Sequence, residues 1–131
     1  MFQVGAVIHE SGSGALSCPL MDALETVEES NAASAKRLLV YFEKVAESGF
    51  DVLNDKQCHV VDAQEKIYEF IAGKLRVLFF AGTPKSLVVC THMFLKKTRK
   101  TPSAEVAKAV RLKAEYEMAR LNGLVEWKDE I

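Results

Sequence analysis

An α+β fold is what this 131-residue sequence predicts: a small antiparallel β-sheet with an N-terminal helical hairpin and a C-terminal helix packed on it. Three observations predict it. Runs with helical apolar spacing fill residues 19–46. Three β-prone runs separated by short turns fill residues 67–95. A last helical run opens at Thr101-Pro102. Placing all the helices on one face of the sheet is the simplest way to bury their stripes.

The elements follow in order. Residues 2–8 are short and apolar and suit a first strand. Ser11-Gly12-Ser13-Gly14 is a flexible link. Pro19 suits the first turn of a helix over 19–29, with Leu20, Ala23, Leu24 and Val27 on one face. Ser30 or Asn31 caps a second helix, whose stripe is Ala35, Leu38, Leu39, Phe42, Val45 and Ala46. Gly49 stands at its C-terminal cap. Residues 50–54 and 58–61 read as loop or short extended pieces. Residues 67–71 are strand-like, and Ala72-Gly73 turns the chain into 75–80. That run is apolar on both faces except at Arg76, which suits a central strand. Gly82-Thr83-Pro84 marks the next turn, and 87–95 is the longest β-prone run. A six-residue loop over 81–86 would pair Phe80 with Leu87 and Arg76 with Thr91. His92 would then face Leu75, on the opposite side of the sheet from Arg76; a one-residue slip would put both on one face. In the last helix Thr101 suits the N-cap, Pro102 the first position and Glu105 the first turn. Val106, Val110, Ala114, Met118 and Leu121 form its expected buried line, and Asn122-Gly123 ends it.

The length suits one domain over residues 1–131 with one proper core, and a composition of 49% hydrophobic and 27% charged residues is ordinarily globular. No apolar run reaches the roughly 18 residues of a membrane span. The first 16 residues lack the basic region and long apolar block of a secretory signal. Cys18, Cys58 and Cys90 are widely spaced and odd in number, which argues against a disulfide framework and for a cytoplasmic protein. The formal net charge of −1 hides an asymmetry. Residues 1–73 carry 5 basic and 12 acidic side chains, and residues 74–120 carry 11 basic and 3 acidic. A protein's field depends on where its charges lie, so nucleic-acid binding is not excluded by the whole-chain balance.

Few side chains in this sequence suggest chemistry. Arg76 is the sole charge in an apolar strand, and it needs a partner because a buried unpaired guanidinium is costly. It is either an internal ion pair, with Glu69 as the candidate, or an anion-binding group whose fork fits phosphate. His92 is either a satisfied half-buried strand residue, sharing a face with Cys90 and Phe94, or a proton carrier near neutral pH. Lys96, Lys97, Arg99 and Lys100 place four cations in five residues with no acid among them. They form either a solvated loop or a phosphate grip. With Lys74 they charge one end of a hairpin, and the reading points to RNA. Tyr68 can stack on a base or donate its hydroxyl. Arg111 and its neighbours Lys108 and Lys113 lie off the expected buried line of the last helix. The Ser-Gly-Ser-Gly run is not a phosphate-binding loop, and no residues have metal-ligand or catalytic-triad spacing.

Ile67-Tyr68-Glu69-Phe70, then residues 74–80, then His92-Met93-Phe94-Leu95-Lys96-Lys97-Thr98-Arg99-Lys100-Thr101-Pro102 and the later Glu115-Tyr116, resemble the phage-associated HigB-like branch of the RelE/ParE toxin superfamily. The likeness runs from about Leu38 to Tyr116. It implies a RelE/ParE-like fold and the toxin of a type II toxin–antitoxin module. Such a toxin is a metal-independent, ribosome-dependent mRNA endonuclease needing no cofactor. A cognate antitoxin of helix-turn-helix type is implied as partner, beside the ribosome and mRNA, with no membrane. By position, Arg76 matches the pattern's strand arginine, and His92, Lys96 and Lys97 its histidine and paired lysines; Arg76, Lys96 and Lys97 are the expected catalytic groups, with Tyr68 or His92 as a secondary proton or stacking group. Lys74, Arg99, Lys100 and Arg111 would bind RNA. The pattern's arginine after the Trp-Glu-Leu element is Ile71 here, and its tryptophan is Tyr68. Residues 1–31 and 122–131 lie outside the resemblance and read as lineage-specific extensions. The alternative is a non-catalytic binding protein of the same fold, either a ParE-like gyrase poison or a degenerate phage-derived protein.

Overall fold

The computed structural model describes residues 2–10, 16–82, 86–97 and 101–121. Its centre is a five-stranded sheet built from β1 (Gln3–Ala6), β4 (Cys58–Asp62), β5 (Ile67–Ala72), β6 (Leu75–Ala81) and β7 (Leu87–Leu95), in the order β1-β7-β6-β5-β4. The three strands expected from the sequence form an antiparallel meander, and β4 extends it by one edge. The N-terminal strand is the exception to an antiparallel sheet, because it pairs parallel with β7, Gln3 opposite Leu87 through Ala6 opposite Cys90. The short strands β2 (His9–Glu10) and β3 (Leu16–Ser17) pair antiparallel on their own. The expected link over 11–14 lies outside the described residues.

Helix α1 (Pro19–Glu25) is shorter than the 19–29 expected. Thr26 closes it, its hydroxyl donating back to the carbonyls of Asp22 and Ala23, and a single 3₁₀ turn at Glu29–Asn31 follows. Helix α2 (Ala32–Ser48) carries most of the predicted stripe: Leu38, Phe42 and Val45 are buried, but Leu39 is 43% exposed and Tyr41, outside the stripe, is buried instead. Asn31 takes the N-cap place without a side-chain hydrogen bond. Gly49, with φ of 80°, ends the helix as expected of a residue free to enter the left-handed region. Gly73, with φ of 58°, makes the β5–β6 turn, where a Cβ would collide with the Ser34 hydroxyl.

The helices divide between the two faces of the sheet, against the expectation of one. Helices α1 and α2 cover the first face, where Leu20, Leu38, Phe42 and Val45 pack on Phe70, Val77, Phe79, Val88 and Cys90. Phe70 and Phe79 stack there with ring centroids 4.2 Å apart, and Phe50 lies parallel to Phe79 at 5.4 Å. Helix α3 (Ser103–Leu121) covers the second face, where Ala109 and Leu112 pack on Ile67, Leu78, Phe80, Leu87 and Val89. A sheet that is apolar on both sides at Val77-Leu78-Phe79-Phe80 must be covered twice. The buried line of α3 is therefore not the predicted one: Ala114 is exposed and Met118 is 59% exposed. Tyr116 packs edge-on against Phe80, and the Lys113 ammonium donates to the Glu65 carbonyl at 2.6 Å.

The β6–β7 register also departs from expectation. Phe80 pairs with Val89, Arg76 with Phe94 and His92 with Leu78, and a bulge interrupts the ladder at Leu78/Phe79. The Thr91 hydroxyl donates to the Leu78 carbonyl there at 3.1 Å. One extra residue on β7 reverses its alternation. Cys90 stays with the first face, while Phe94 packs with the α3 cluster and His92 reaches Glu105 of α3. Arg76 and His92 thus share the α3 face.

Candidate functional site

The β6–β7 hairpin gathers its cations at the end nearer the β5–β6 turn. Leu75 pairs with Leu95, so Lys74 and Lys96 stand opposite each other, and the Lys96 amide donates to the Lys74 carbonyl at 2.8 Å. Arg76 follows on β6 and Lys97 on the exit from β7. Lys74 and Lys97 are exposed, and Lys96 and Arg76 are half-buried. Arg99 and Lys100 lie outside the described residues.

Arg76 is held from two sides. One terminal nitrogen donates to the carbonyls of Gly73 at 2.7 Å and Leu75 at 2.9 Å. Its Nε lies 3.7 Å from Glu69 Oε1, too far to hydrogen-bond. Burial lowers the Arg76 pKa, and the Glu69 carboxylate acts the other way. The internal pairing open from the sequence is therefore present, though as an electrostatic neighbour. Ile71, where the resemblance expects arginine, pairs with Arg76 across β5–β6.

Glu69 anchors this end of the face and was missed as anything more than a partner for Arg76. It is fully buried, yet Oε2 accepts from the Thr101 hydroxyl at 2.6 Å and Oε1 lies 3.0 Å from His59 Nε2. Buried carboxylates persist only with such donors. Thr101 does not cap α3 as predicted. Its hydroxyl is spent on Glu69, and the Pro102 carbonyl accepts the first helical bonds, from Glu105 and Val106.

His92 is 2% exposed. Nδ1 lies 3.0 Å from the Thr91 hydroxyl. Nε2 lies 3.3 Å from Glu105 Oε1 but outside hydrogen-bond geometry. Burial first, then the nearby Lys108 and Arg111 charges, pull its pKa down to about 4. The ring is therefore neutral at neutral pH and buried, with Nδ1 hydrogen-bonded and Nε2 left without a hydrogen bond. Tyr68 is elsewhere: it stacks on Phe79 on the first face, across the sheet from Arg76 and His92. Arg111 is exposed on α3 and lines a cleft beside His92, whose lining includes none of the hairpin cations. Among the described residues no group of three His, Cys, Asp or Glu side chains is placed to hold a metal ion, and no helix is long and apolar enough to cross a membrane.

The arrangement can bind a phosphate at the cationic hairpin end and set a buried carboxylate behind Arg76 to orient it. A family model described as phage derived protein Gp49-like matches residues 22–114. A chain of the crystal structure of the archaeal RelE–RelB complex from Pyrococcus horikoshii OT3 shares the fold, with a TM-score of 0.50 at 10% identity. The match covers 73% of this chain and 96% of that one. No curated protein sequence matches significantly.

Proposed function

This chain belongs to the phage-derived Gp49-like family, and we propose that it is the toxin of a type II toxin–antitoxin module that cuts mRNA on the ribosome. The observation that carries the reading is the register that brings Lys74, Arg76, Lys96 and Lys97 to one end of the sheet. The solved RelE–RelB complex, whose fold this chain shares, supports an antitoxin as partner.

In the proposed reaction the ribose 2′-oxygen attacks the adjacent phosphorus and the bond to the 5′-oxygen breaks. The products are a 2′,3′-cyclic phosphate and a 5′-hydroxyl. The 2′-hydroxyl proton is lost to solvent, and Lys96 or Lys97 returns one to the leaving oxygen. Arg76 and the lysines stabilise the charge growing on the phosphorane oxygens. Lys74, with Arg99 and Lys100 of the same basic run, binds the flanking backbone. His92, neutral and buried, is hydrogen-bonded to Thr91 and stays off the reacting atoms. Tyr68 has no part, because it lies on the other face. Such a protein works in the cytoplasm, where the ribosomes are.

One observation favours the second reading, a non-catalytic binding protein of the same fold. Arg76 already satisfies two backbone carbonyls and stands beside Glu69, and its neighbour is Ile71 rather than a second arginine. The test is induction in growing cells. The parent chain should arrest growth, and Arg76→Ala and Lys96→Ala should each relieve the arrest. If both variants remain folded by circular dichroism and as toxic as the parent, these residues do not form the site.

A further inference from the structure

Among the described residues strand β1 pairs with β7 over Leu87–Cys90, and none of their strands lies beside the other half of β7 on that edge. Helices α1 and α3 flank the gap, and between them opens a cleft of ≈ 540 Å³. This lies within the roughly 300–1,000 Å³ of ligand sites. Its walls differ in character. Lys108 and Arg111 come from α3, Asp22 and Thr26 from α1, and Met93 and Leu112 supply apolar surface beside the His92 ring.

Lys108 and Arg111 are three residues apart on one helix, hence neighbours on its surface. Among the described residues neither has a carboxylate within ion-pair distance. Like charges so placed repel each other, and an anion between them removes the cost. Their field reaches into the cleft, since both help to hold the His92 ring neutral. Asp22 on the facing wall is the wrong sign for a bare anion. A carboxylate opposite a cation pair suits a ligand that has a phosphate at one end and N–H donors at the other. The apolar side chains between them suit a flat ring.

We infer that the cleft between α1 and α3 takes one unstacked nucleotide of single-stranded RNA, its phosphate on Lys108 and Arg111 and its base edge toward Asp22. Splayed bases are the usual handle by which proteins read single-stranded RNA. A carboxylate acceptor favours a base with adjacent N–H donors, which in RNA is guanine. The inference deepens the RNA-cutting reading and rests on it for the RNA. The site is distinct from the hairpin cations, and it would fix where the strand enters.

Equilibrium binding to the full chain, followed by NMR, tests this without ribosomes, so its outcome is separable from that of the toxicity assay. The probes are 5′-GMP, inorganic phosphate and a guanine-containing tetraribonucleotide. GMP should bind at least tenfold more tightly than phosphate, and the tetranucleotide more tightly than GMP and in competition with it. The Lys108→Ala/Arg111→Ala double variant should weaken GMP at least tenfold. Ala23→Trp, which fills the cleft from α1 and removes no charge, should do the same. Equal affinity for GMP and phosphate would overturn the nucleotide assignment. GMP binding more tightly than the tetranucleotide would overturn RNA as its source. Unchanged binding in either folded variant would overturn the site.

Discussion

Acid should destabilise this protein through His92, and the size of the effect follows from the structure. The ring is buried, and Lys108 and Arg111 oppose its protonation. The Glu105 carboxylate at 3.3 Å favours protonation but does not prevail, and the folded pKa is pulled from 6.5 to about 4. The unfolded chain then takes up a proton that the folded chain refuses. The stability due to a neutral His92 is present above pH 6.5 and is lost as pH falls toward 4. At 1.36 kcal/mol per pKa unit the full loss is about 3 kcal/mol, and about 2 kcal/mol of it has gone by pH 5. That is a large share of a typical domain's stability. Urea unfolding of the parent and His92→Gln at pH 7 and pH 5 measures it, with the two slopes checked for equality. The substitution lowers stability at pH 7 but removes this titration. The drop between the two pH values should therefore be about 2 kcal/mol smaller in the variant. Equal drops would refute the assignment of a neutral, buried His92.

Thr101→Val removes a hydroxyl from the fully buried Glu69 carboxylate and should cost about 1–3 kcal/mol by urea unfolding, most of which Thr101→Ser should restore. A Val variant as stable as the parent would mean that the 2.6 Å bond does not hold α3 to the sheet. Ile71→Arg would set a second guanidinium opposite Arg76. It should raise RNA affinity, and the added cation should steepen the loss of binding with salt by about one phosphate contact. An unchanged salt slope would place Ile71 away from the bound strand.

The parts of this fold that were legible in the sequence are those set by local pattern. The α2 stripe ending at Gly49 and the three strands around Gly73 stand where spacing and turn chemistry put them. What was not legible depends on distant partners. The bulge at Leu78/Phe79 rests on a Thr91 hydroxyl bond across the hairpin, and that one inserted residue decides which face His92 occupies. Helix α3 has two competing apolar lines. The choice of Ala109 and Leu112 over Ala114 and Met118 was made by the sheet face that needed covering, because small Ala109 lets the helix lie close. The parallel pairing of β1 is another long-range outcome. At the site, the closeness of Lys74 and Lys96 follows from a hairpin that any register near the true one would give. The anchoring role of Glu69 does not, since its donors come from His59 and Thr101 on other elements. Tyr68 went astray for a simpler reason. Strand alternation puts it on the face opposite Glu69 and Ile71, and its ring found an aromatic neighbour there.

The most direct measurement of the central claim is the mapping of mRNA 5′ ends after brief induction of the parent chain, beside Arg76→Ala and Lys96→Ala. Cleavage by 2′-oxygen attack predicts new ends bearing a 5′-hydroxyl, inside translated reading frames, absent when translation is blocked beforehand and depleted in both variants. Growth arrest with intact messages, or equal cutting by the parent and the two variants, would contradict it.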